Sequence, residues 1–598
     1  MTTQFAFCLE SAERSLRDGR YADAEQALTA ALALEPRSVK AHFKLGLALE
    51  RQRKWAGAEA AFRAAVRGKR DHATAWLRLA AACRRQGKAR EEETASREAA
   101  RLAPRSAEAR HGLAITLARL GQTDEAGREF EETIRLAPSN AIARHGLGVA
   151  RAAQGRDAEA AVAFAEAVRL DPRAYRAHAQ HAEALRRLRR WSDAAVAYRE
   201  AAALRPDEPV LHGRLGLVLE RLRRYREAVA AYSRAARLAP TSGRWRARLG
   251  RVLERQGRFA DAEAALLEAL RQEPDLLDAY VGLASIYRRQ AKWDAEARVY
   301  EHAIRLKPDD AHLHADLGLA LEAQGQLGAA EGEFRRAVAL APDDADLHVE
   351  LGIAMGRQGR HAEAEAALRE AMRLNPQDAV ARANLALGLG RQGRHAESEA
   401  AYRQALEVKP DGAPLHRGLG MALYSQGKHA AAEAAFRGAV ALKPGYARAW
   451  GDLGELLTET GRHAEAAEAF REAIRVKPQR VASHRGLGAV LLLQGDHAAA
   501  EAAYRSALVR RPDDAQSHFG LWAALESQGK VVEAEAAYRA AIEASPDLAD
   551  AHARLGTLLA RQGRWREAEA AYREAVVLDP GDARARLALS AVLRRVGR

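Results

Sequence analysis

The chain has 598 residues, of which 48% are apolar but only 6% aromatic, and its formal net charge is +14. Two cysteines, Cys8 and Cys83, are too few for a disulfide framework or a thiolate metal site. No apolar run is long enough to cross a bilayer, and the N-terminal stretch lacks the layout of a signal peptide. The composition predicts a helix-rich cytoplasmic protein, and the charge suggests acidic partners or nucleic acid.

A proline recurs every 34 residues along almost the whole chain. The series has no insertion or deletion, and Arg70 replaces proline at its single exception. The members are Pro36, Pro104, Pro138, Pro172, Pro206, Pro240, Pro274, Pro308, Pro342, Pro376, Pro410, Pro444, Pro478, Pro512, Pro546 and Pro580. Such a period indicates a repeat architecture in which each repeat is one supersecondary unit.

Each repeat predicts two amphipathic helices. With the proline as position 32, repeat 1 spans 5–38 and repeat 17 spans 549–582. Position 8 is small, as at Gly352, positions 20 and 27 are Ala, and position 24 is large, as at Phe334. Positions 4, 7, 8 and 11 share one helical face, as do positions 20, 24 and 27. A glycine at position 15, such as Gly359, separates the two helices.

The proline ends each second helix because it lacks an N–H and restricts the preceding residue. An Asp, Ser or Asn two residues later is predicted to cap the next helix. Examples of this cap are Asn140, Asp310, Asp344 and Asp514. We therefore expect an N-terminal tail at 1–4, seventeen tandem repeats in one continuous array over 5–582, and a capping segment at 583–598.

The pattern resembles the tetratricopeptide repeat (TPR), in particular the long arrays of bacterial type. The resemblance covers residues 5–598 and rests on the small residue at position 8, Ala at 20 and 27, the aromatic residue at 24 and Pro at 32. Position 4, often Trp in the family, is mostly His or Arg here. The resemblance implies an all-α fold, a right-handed superhelical α-solenoid of about 17 helix-turn-helix repeats plus a capping helix, with the first helices lining a concave groove.

Three repeats depart from the pattern. Repeat 3 has Glu92 and Ser96 at positions 20 and 24, repeat 9 has Ala291 in place of the glycine, and repeat 16 has Trp522 at the small position 8. These departures predict looser junctions near repeats 2–3 and 9. Proteolysis is expected to cut early near residues 68–96.

No sequence motif indicates an active site. Histidine recurs at position 17 in five consecutive repeats, from His361 to His497. Successive repeats step about 8–10 Å, so no ion with ligands at about 2.0–2.2 Å is able to join two members of one ladder. The Gly-x-Gly stretches, such as Gly418 and Gly420, fall inside a predicted helix with no strand before them. We expect no enzyme activity, no metal and no cofactor.

An arginine stripe is the candidate binding site. The resemblance implies that positions 2, 5, 6, 9, 12 and 13 line the groove, and repeat 8 places four arginines there at spacing i, i+4, i+7 and i+11. Repeats 6–8 carry 21 basic and 13 acidic residues, whereas repeats 14–16 carry 12 and 15. The candidate residues are Arg186, Arg187, Arg214, Arg221, Arg244, Arg248, Arg251, Arg255, Arg288 and Arg289. They predict a receptor for an acidic segment, although a run of charge is also typical of a plain solvated face.

Three functions stay open at this point. The first is a non-catalytic protein–protein interaction scaffold that binds a partner segment in the partly basic groove. The second is the partner-recruiting arm of a bacterial glycosyl or polymer transferase whose catalytic domain is not in this chain. Binding of single-stranded nucleic acid ranks last, because groove aromatic residues for base stacking are few. Self-association through an end or an exposed patch also stays open, although it leaves no signature in the sequence.

Overall fold

The chain is α-helical throughout the part that the structure describes. The computed structural model describes residues 2–597, and within them it contains 35 helices and no strand. By their contacts they form two compact bodies, residues 1–292 (the N-terminal body) and residues 293–598 (the C-terminal body).

The N-terminal body contains α1 (Thr2–Arg17), α2 (Tyr21–Leu34), α3 (Val39–Arg51), α4 (Trp55–Gly68), α5 (Ala73–Arg85), α6 (Ala89–Leu102), α7 (Ala107–Arg119), α8 (Thr123–Leu136), α9 (Ala141–Ala153), α10 (Asp157–Leu170), α11 (Tyr175–Arg187), α12 (Trp191–Leu204), α13 (Pro209–Arg221), α14 (Tyr225–Leu238), α15 (Gly243–Arg255), α16 (Phe259–Gln272) and α17 (Leu277–Arg289).

The C-terminal body contains α18 (Trp293–Leu306), α19 (Ala311–Ala323), α20 (Leu327–Leu340), α21 (Ala345–Arg357), α22 (His361–Leu374), α23 (Ala379–Arg391), α24 (His395–Val408), α25 (Ala413–Tyr424), α26 (His429–Leu442), α27 (Ala447–Glu459), α28 (His463–Val476), α29 (Val481–Leu493), α30 (His497–Arg510), α31 (Ala515–Ser527), α32 (Val531–Ala544), α33 (Ala549–Arg561), α34 (Trp565–Leu578) and α35 (Ala583–Val596).

These bounds confirm the predicted solenoid of helical hairpins. From repeat 2 onward the first helix begins at position 1, and in every repeat the second begins at position 17, so α21 and α22 make up repeat 11. Within each body, consecutive helices pack against each other along the chain. Within the described residues no helix has the length and apolar character needed to cross a bilayer.

The predicted turns are present, and the predicted caps are present except at Ser242, whose side chain caps no helix. Gly359 at position 15 has φ 80°, in the left-handed region that ends a helix. Four repeats lack this glycine and still adopt a positive φ, at Arg53, Arg189, Arg223 and Ala291. The side chains of Asn140, Asp310, Asp344 and Asp514 all accept a hydrogen bond from a first-turn N–H of the next helix. The local rules read from the sequence therefore set the helix boundaries.

The core of each body follows from the large residue at position 24. Phe62 in the N-terminal body and Phe436 in the C-terminal body are almost completely buried. Each ring packs against the small residue at position 8 of its own repeat, since a Cβ added to Gly46 or Gly420 would lie 2.5 or 2.6 Å from it. The small residue is therefore required by the close approach of the two helices.

The side chain at position 4 forms a hydrogen bond with the preceding proline turn, a role that the sequence did not predict. The imidazole Nε2 of nine position-4 histidines lies within hydrogen-bond distance of the carbonyl of the position-32 proline six residues earlier, as for His416 and Pro410 at 3.0 Å. Trp76 and Trp450 donate their indole N–H to the equivalent carbonyl. The nine histidines are His42, His178, His212, His314, His348, His416, His484, His518 and His552. The histidine at position 4 therefore links the proline turn to the following helix through a hydrogen bond.

A second recurrent bond links neighbouring repeats. The glutamine at position 14 reaches back to the preceding repeat, where it meets a backbone carbonyl at position 17 and a glutamate at position 21. Gln426, for example, donates to the His395 carbonyl at 3.1 Å and to Glu399 at 2.9 Å, while Lys428 at position 16 binds the same carboxylate at 2.8 Å. The same Gln–Glu pairs are Gln52–Glu25, Gln86–Glu59, Gln358–Glu331, Gln528–Glu501 and Gln562–Glu535.

The chain ends differ in part from the expectation. The predicted tail is wrong for residues 2–4, because α1 begins at Thr2, and no proline precedes this helix to stop it. Met1 lies outside the described residues. The predicted cap contains α35, which packs on α34 and ends at Gly597 with φ 84°. Arg598 also lies outside the described residues.

The irregular repeats hold unusual contacts. In repeat 3 the completely buried carboxylate of Glu92 accepts hydrogen bonds from Arg84 at 2.7 Å and Thr116 at 3.0 Å, and it also pairs with Arg119. A polar cluster therefore replaces the usual apolar contact, and looseness at this junction stays a prediction. In repeat 16, Trp522 is buried, with its ring centroid 4.5 Å from that of Tyr538.

Candidate functional site

The ten candidate arginines lie on α11, α13, α15 and α17 of the N-terminal body. These are the first helices of repeats 6–9. On α15 the side opposite the arginines is buried at Gly250 and Leu253, and Trp245, Ala247 and Val252 are buried on its flanks. Since the helix buries this apolar side, Arg244, Arg248, Arg251 and Arg255 are turned toward the other one.

Five of the ten arginines line one pocket of about 230 Å³. They come from three helices: Arg186 from α11, Arg221 from α13, and Arg248, Arg251 and Arg255 from α15. Trp191, Leu217 and Glu220 complete the lining. Five cations with one carboxylate make this pocket strongly attractive to an anion.

Glu183 holds one group of arginines beside the pocket. Its carboxylate pairs with Arg186 at 2.6 Å, with Arg187 at 3.5 Å and with Arg214 at 3.9 Å. The Tyr198 hydroxyl donates a further hydrogen bond at 2.8 Å. The hydrogen bond from Arg186 is the main reason that the pKa of Glu183 is lowered to about 2. This carboxylate therefore stays ionised and offsets part of the local positive charge.

Two more carboxylates partly neutralise the stripe. Glu220 accepts a hydrogen bond from the Tyr232 hydroxyl at 3.2 Å and lies 3.7 Å from Arg255. Glu254 pairs with Arg289 at 3.2 Å. Burial raises the pKa of Tyr232, so its hydroxyl remains a proton donor to Glu220. The stripe is therefore a mixed network, with cations in excess.

Three arginines of the pocket are not neutralised by a close partner. Among the described residues, no carboxylate lies within 4.0 Å of the guanidinium nitrogens of Arg221, Arg248 or Arg251. Arg248 and Arg251 are half-buried, whereas Arg221 is exposed. Half-buried guanidinium groups have lost part of their hydration, so they gain most from an incoming carboxylate or phosphate.

The other five predicted residues do not line the pocket. Arg187, Arg214 and Arg289 are engaged by the carboxylates described above. Arg244 is exposed, with its guanidinium carbon 5.8 Å from the ring centroid of Trp245. Arg288 is exposed on α17. These five residues surround or extend the stripe without taking part in its pocket.

Two apolar pocket residues were missed at the sequence level. Trp191 begins α12 at position 17, outside the groove positions that the family resemblance implies, and Leu217 is at position 9 of α13. Position 9 is one of the groove positions that the resemblance implies, so a signal for Leu217 was present in the sequence. No signal in the sequence pointed to Trp191, since position 17 is aromatic in other repeats as well. Together they give the pocket an apolar wall.

The histidine ladder has no metal-binding geometry. Within the described residues no group of three or more His, Cys, Asp or Glu side chains is placed to hold an ion. The position-17 histidines, including His361 and His497, each begin a helix. Cys83 is buried, and burial raises the pKa of its thiol to about 11, so it is not a reactive thiolate at neutral pH.

Comparison with known proteins identifies the repeat. One tetratricopeptide repeat model matches residues 9–71, 49–107, 111–175, 180–243, 315–379, 384–447, 420–481, 452–515 and 486–549. Two further models with the same description match residues 219–286 and 525–593, and residues 279–313. No curated protein matches the chain in sequence.

Two solved structures show weak similarity. The crystal structure of the APC/C hetero-tetramer Cut9–Hcn1 is 16% identical, with 83% of this chain and 98% of that chain covered and a TM-score of 0.36. Yeast Tom70 is 16% identical, with 71% and 96% covered and a TM-score of 0.34. At these scores the two structures add nothing to the assignment, which rests on the family models. Since those models match along most of its length, this chain belongs to the tetratricopeptide repeat family.

Proposed function

We propose that this chain is a non-catalytic scaffold that binds an acidic segment of a partner protein in the arginine pocket of α11, α13 and α15. The observation that carries the proposal is the set of three guanidinium groups, on Arg221, Arg248 and Arg251, without a carboxylate partner in one pocket. Guanidinium groups pair bidentately with carboxylates, so an acidic side chain supplies the missing partner. The cytoplasm is the compartment that the proposal assumes.

The lining of the pocket favours a partner segment in which acidic and apolar side chains lie next to each other. Trp191 and Leu217 form an apolar wall beside the cations, and the pocket volume of about 230 Å³ accommodates one or two side chains rather than a cofactor. A single aromatic lining residue gives little support for stacking of successive bases, so nucleic acid stays the weaker candidate. The transferase-arm alternative rests on no contact in this pocket and stays a hypothesis.

The test is the affinity for a labelled octaglutamate peptide, measured by fluorescence anisotropy on the full chain. The triple variant Arg221→Gln/Arg248→Gln/Arg251→Gln is expected to weaken binding at least tenfold, because hydrogen bonds to charged groups contribute roughly 1.5–3 kcal/mol each. The control variant Arg67→Gln/Arg105→Gln/Arg128→Gln removes the same charge from exposed positions of the same body that do not line the pocket.

Two results would count against the proposal. Equal loss of affinity in the two triple variants would mean that net charge alone attracts the peptide. Tighter binding of an octathymidine oligonucleotide than of octaglutamate, with the same dependence on the pocket, would favour nucleic acid. The circular dichroism spectrum of each variant checks that its helix content is unchanged.

A further inference from the structure

We propose that the C-terminal body holds a second site, which binds a small ligand with two or more linked phosphate groups. The site is a pocket of about 560 Å³ whose ionisable lining residues are all basic. These are Arg417, Arg448, Lys477, Arg480, Arg485 and Arg511, and the remaining lining residues are Ala447, Gln479, Val481 and Ala482. This pocket is separate from the arginine stripe, which lies in the N-terminal body.

The cations of this pocket converge from three repeats. Arg417 comes from α25 in repeat 13, Arg448 from α27 in repeat 14, and Arg485 from α29 in repeat 15. Lys477 and Arg511 follow the ends of α28 and α30. Repeats 14–16 are acidic on average, with 12 basic and 15 acidic residues, so a count along the sequence conceals this cluster.

The acidic residues nearest to the pocket leave a clear excess of positive charge. Asp452 pairs with Arg417, and Asp514 lies 3.4 Å from Arg485 and 3.9 Å from Arg511. No carboxylate of the described residues lies within 4.0 Å of the side-chain nitrogens of the other three cations. Those three cations are Arg448, Lys477 and Arg480. The pocket therefore holds six cations beside only two carboxylates, and this excess of positive charge favours the binding of a multivalent anion.

The start of α29 adds backbone donors to the site. Val481 and Ala482, in its first turn, line the pocket, and the preceding Arg480 provides no side-chain cap. Among the described residues, the N–H groups of Val481 and Ala482 have no hydrogen-bond acceptor. Free N–H groups and the helix dipole both favour negative charge at a helix N-terminus. The backbone and the side chains therefore select the same kind of ligand.

The remaining lining narrows the ligand class. The pocket has no aromatic residue for base stacking, and its apolar surface consists of Ala447, Val481 and Ala482. A volume of about 560 Å³ exceeds the space of one phosphate group and falls in the usual range of small-molecule sites, about 300–1,000 Å³. Recognition is therefore of the phosphate groups themselves, and a nucleoside attached to them contributes little.

The experiment is isothermal titration of the full chain with inorganic diphosphate, with ADP and citrate as comparison ligands. The variant Arg448→Gln/Lys477→Gln removes two exposed, unpaired cations from the pocket and is expected to weaken diphosphate binding at least tenfold. The control Lys409→Gln/Lys443→Gln removes two exposed lysines at position 31, the position of Lys477, in repeats whose position-31 residues do not line the pocket.

The expected result is that diphosphate and ADP bind with similar affinity, that citrate binds more weakly, and that the control variant binds like the natural chain. Absence of diphosphate binding at millimolar concentration would overturn the proposal. It would also be overturned by citrate binding as tightly as diphosphate, by ADP binding more than tenfold tighter, or by equal effects of the two variants. The triple variant Arg221→Gln/Arg248→Gln/Arg251→Gln of the N-terminal body is expected to bind diphosphate like the natural chain. This keeps the test independent of the proposed scaffold function.

Discussion

The bond between Gln426 and Glu399 gives the sharpest test of how neighbouring repeats hold together. The side-chain amide of Gln426 donates to the carbonyl of His395 at 3.1 Å and to the Glu399 carboxylate at 2.9 Å, both in the preceding repeat. Glu399 is 4% exposed, so it depends on these partners for its solvation. We predict that Gln426→Leu, which keeps the approximate side-chain volume, opens the junction between α24 and α25.

The magnitude follows from the contacts that remain. A hydrogen bond to a charged group contributes about 1.5–3 kcal/mol and a neutral one about 0.5–1.5 kcal/mol. Lys428 at 2.8 Å and Arg403 still bind Glu399 in the variant, so the lower end applies. We expect a loss of about 2 kcal/mol in the free energy of local opening.

Gln324→Leu is the matched control. Gln324 occupies the same position 14 and donates to the carbonyl of Trp293 at 3.0 Å, but position 21 of the preceding repeat is Ala297 instead of Glu. Its loss is therefore expected to cost about 1 kcal/mol or less. Gln324 also accepts an exposed hydrogen bond from Gln326 at 2.8 Å, so the contribution of the glutamate is isolated by a double-mutant cycle with Glu399.

Native-state hydrogen exchange is the suitable assay, because the stability of a repeat array is a sum of local terms that a global melt averages. The opening free energy is read from the amides of α24, α25 and α26, and from α18 to α20 for the control. A double-mutant cycle with Glu399→Gln is expected to give a coupling of about 1.5 kcal/mol. Equal losses in Gln426→Leu and Gln324→Leu, or a coupling near zero, would refute this explanation of the recurrent glutamine.

Three further predictions concern the N-terminal body. Arg53→Gly is expected to stabilise repeat 2 by about 1 kcal/mol in urea unfolding, because Arg53 has φ 60° and glycine adopts this conformation without strain; no change would mean that its neighbours hold the turn without cost. Glu92→Ala is expected to cost about 3–5 kcal/mol and to speed tryptic cleavage within residues 68–96 relative to the natural chain, because Arg84 and Thr116 lose their buried partner; an unchanged cleavage rate there would contradict this. The lowered pKa of Glu183, about 2, predicts that α11 is most stable above pH 4.3 and loses up to about 3 kcal/mol as the pH falls toward 2; hydrogen exchange in Glu183→Gln is expected to lack this dependence.

The sequence predicted the helices well because most of their boundaries have a local cause. Proline, glycine and the Asp or Asn cap recur in register, and the structure places the helix ends at the corresponding positions, as at Gly359 and Asp344. The tail at residues 2–4 was wrong because no local signal separates it from α1. Hydrogen bonds between neighbouring repeats could not be predicted from the sequence. The bond from Gln426 to Glu399 spans 27 residues, and only the stacking of repeats brings the two side chains together.

The candidate site was predicted in part. The spacing of Arg248, Arg251 and Arg255 on one helical face follows from helix geometry alone, and these three residues do share a pocket. Which arginines are neutralised depends on carboxylates from neighbouring repeats, such as Glu183 beside Arg214. Charge counts along the chain also failed in the C-terminal body, where a basic pocket lies within an acidic stretch.

The central claim is that an acidic segment binds in the arginine pocket of α11, α13 and α15 and not over a diffuse basic surface. The most direct measurement is photo-cross-linking of a benzophenone-labelled octaglutamate peptide to the full chain, with the cross-linked residues identified by mass spectrometry. Our account predicts cross-links concentrated on α11, α12, α13 and α15, around Trp191 and Leu217, and their loss in the Arg221→Gln/Arg248→Gln/Arg251→Gln variant. Cross-links spread over the basic surfaces of both bodies, unchanged in that variant, would contradict it.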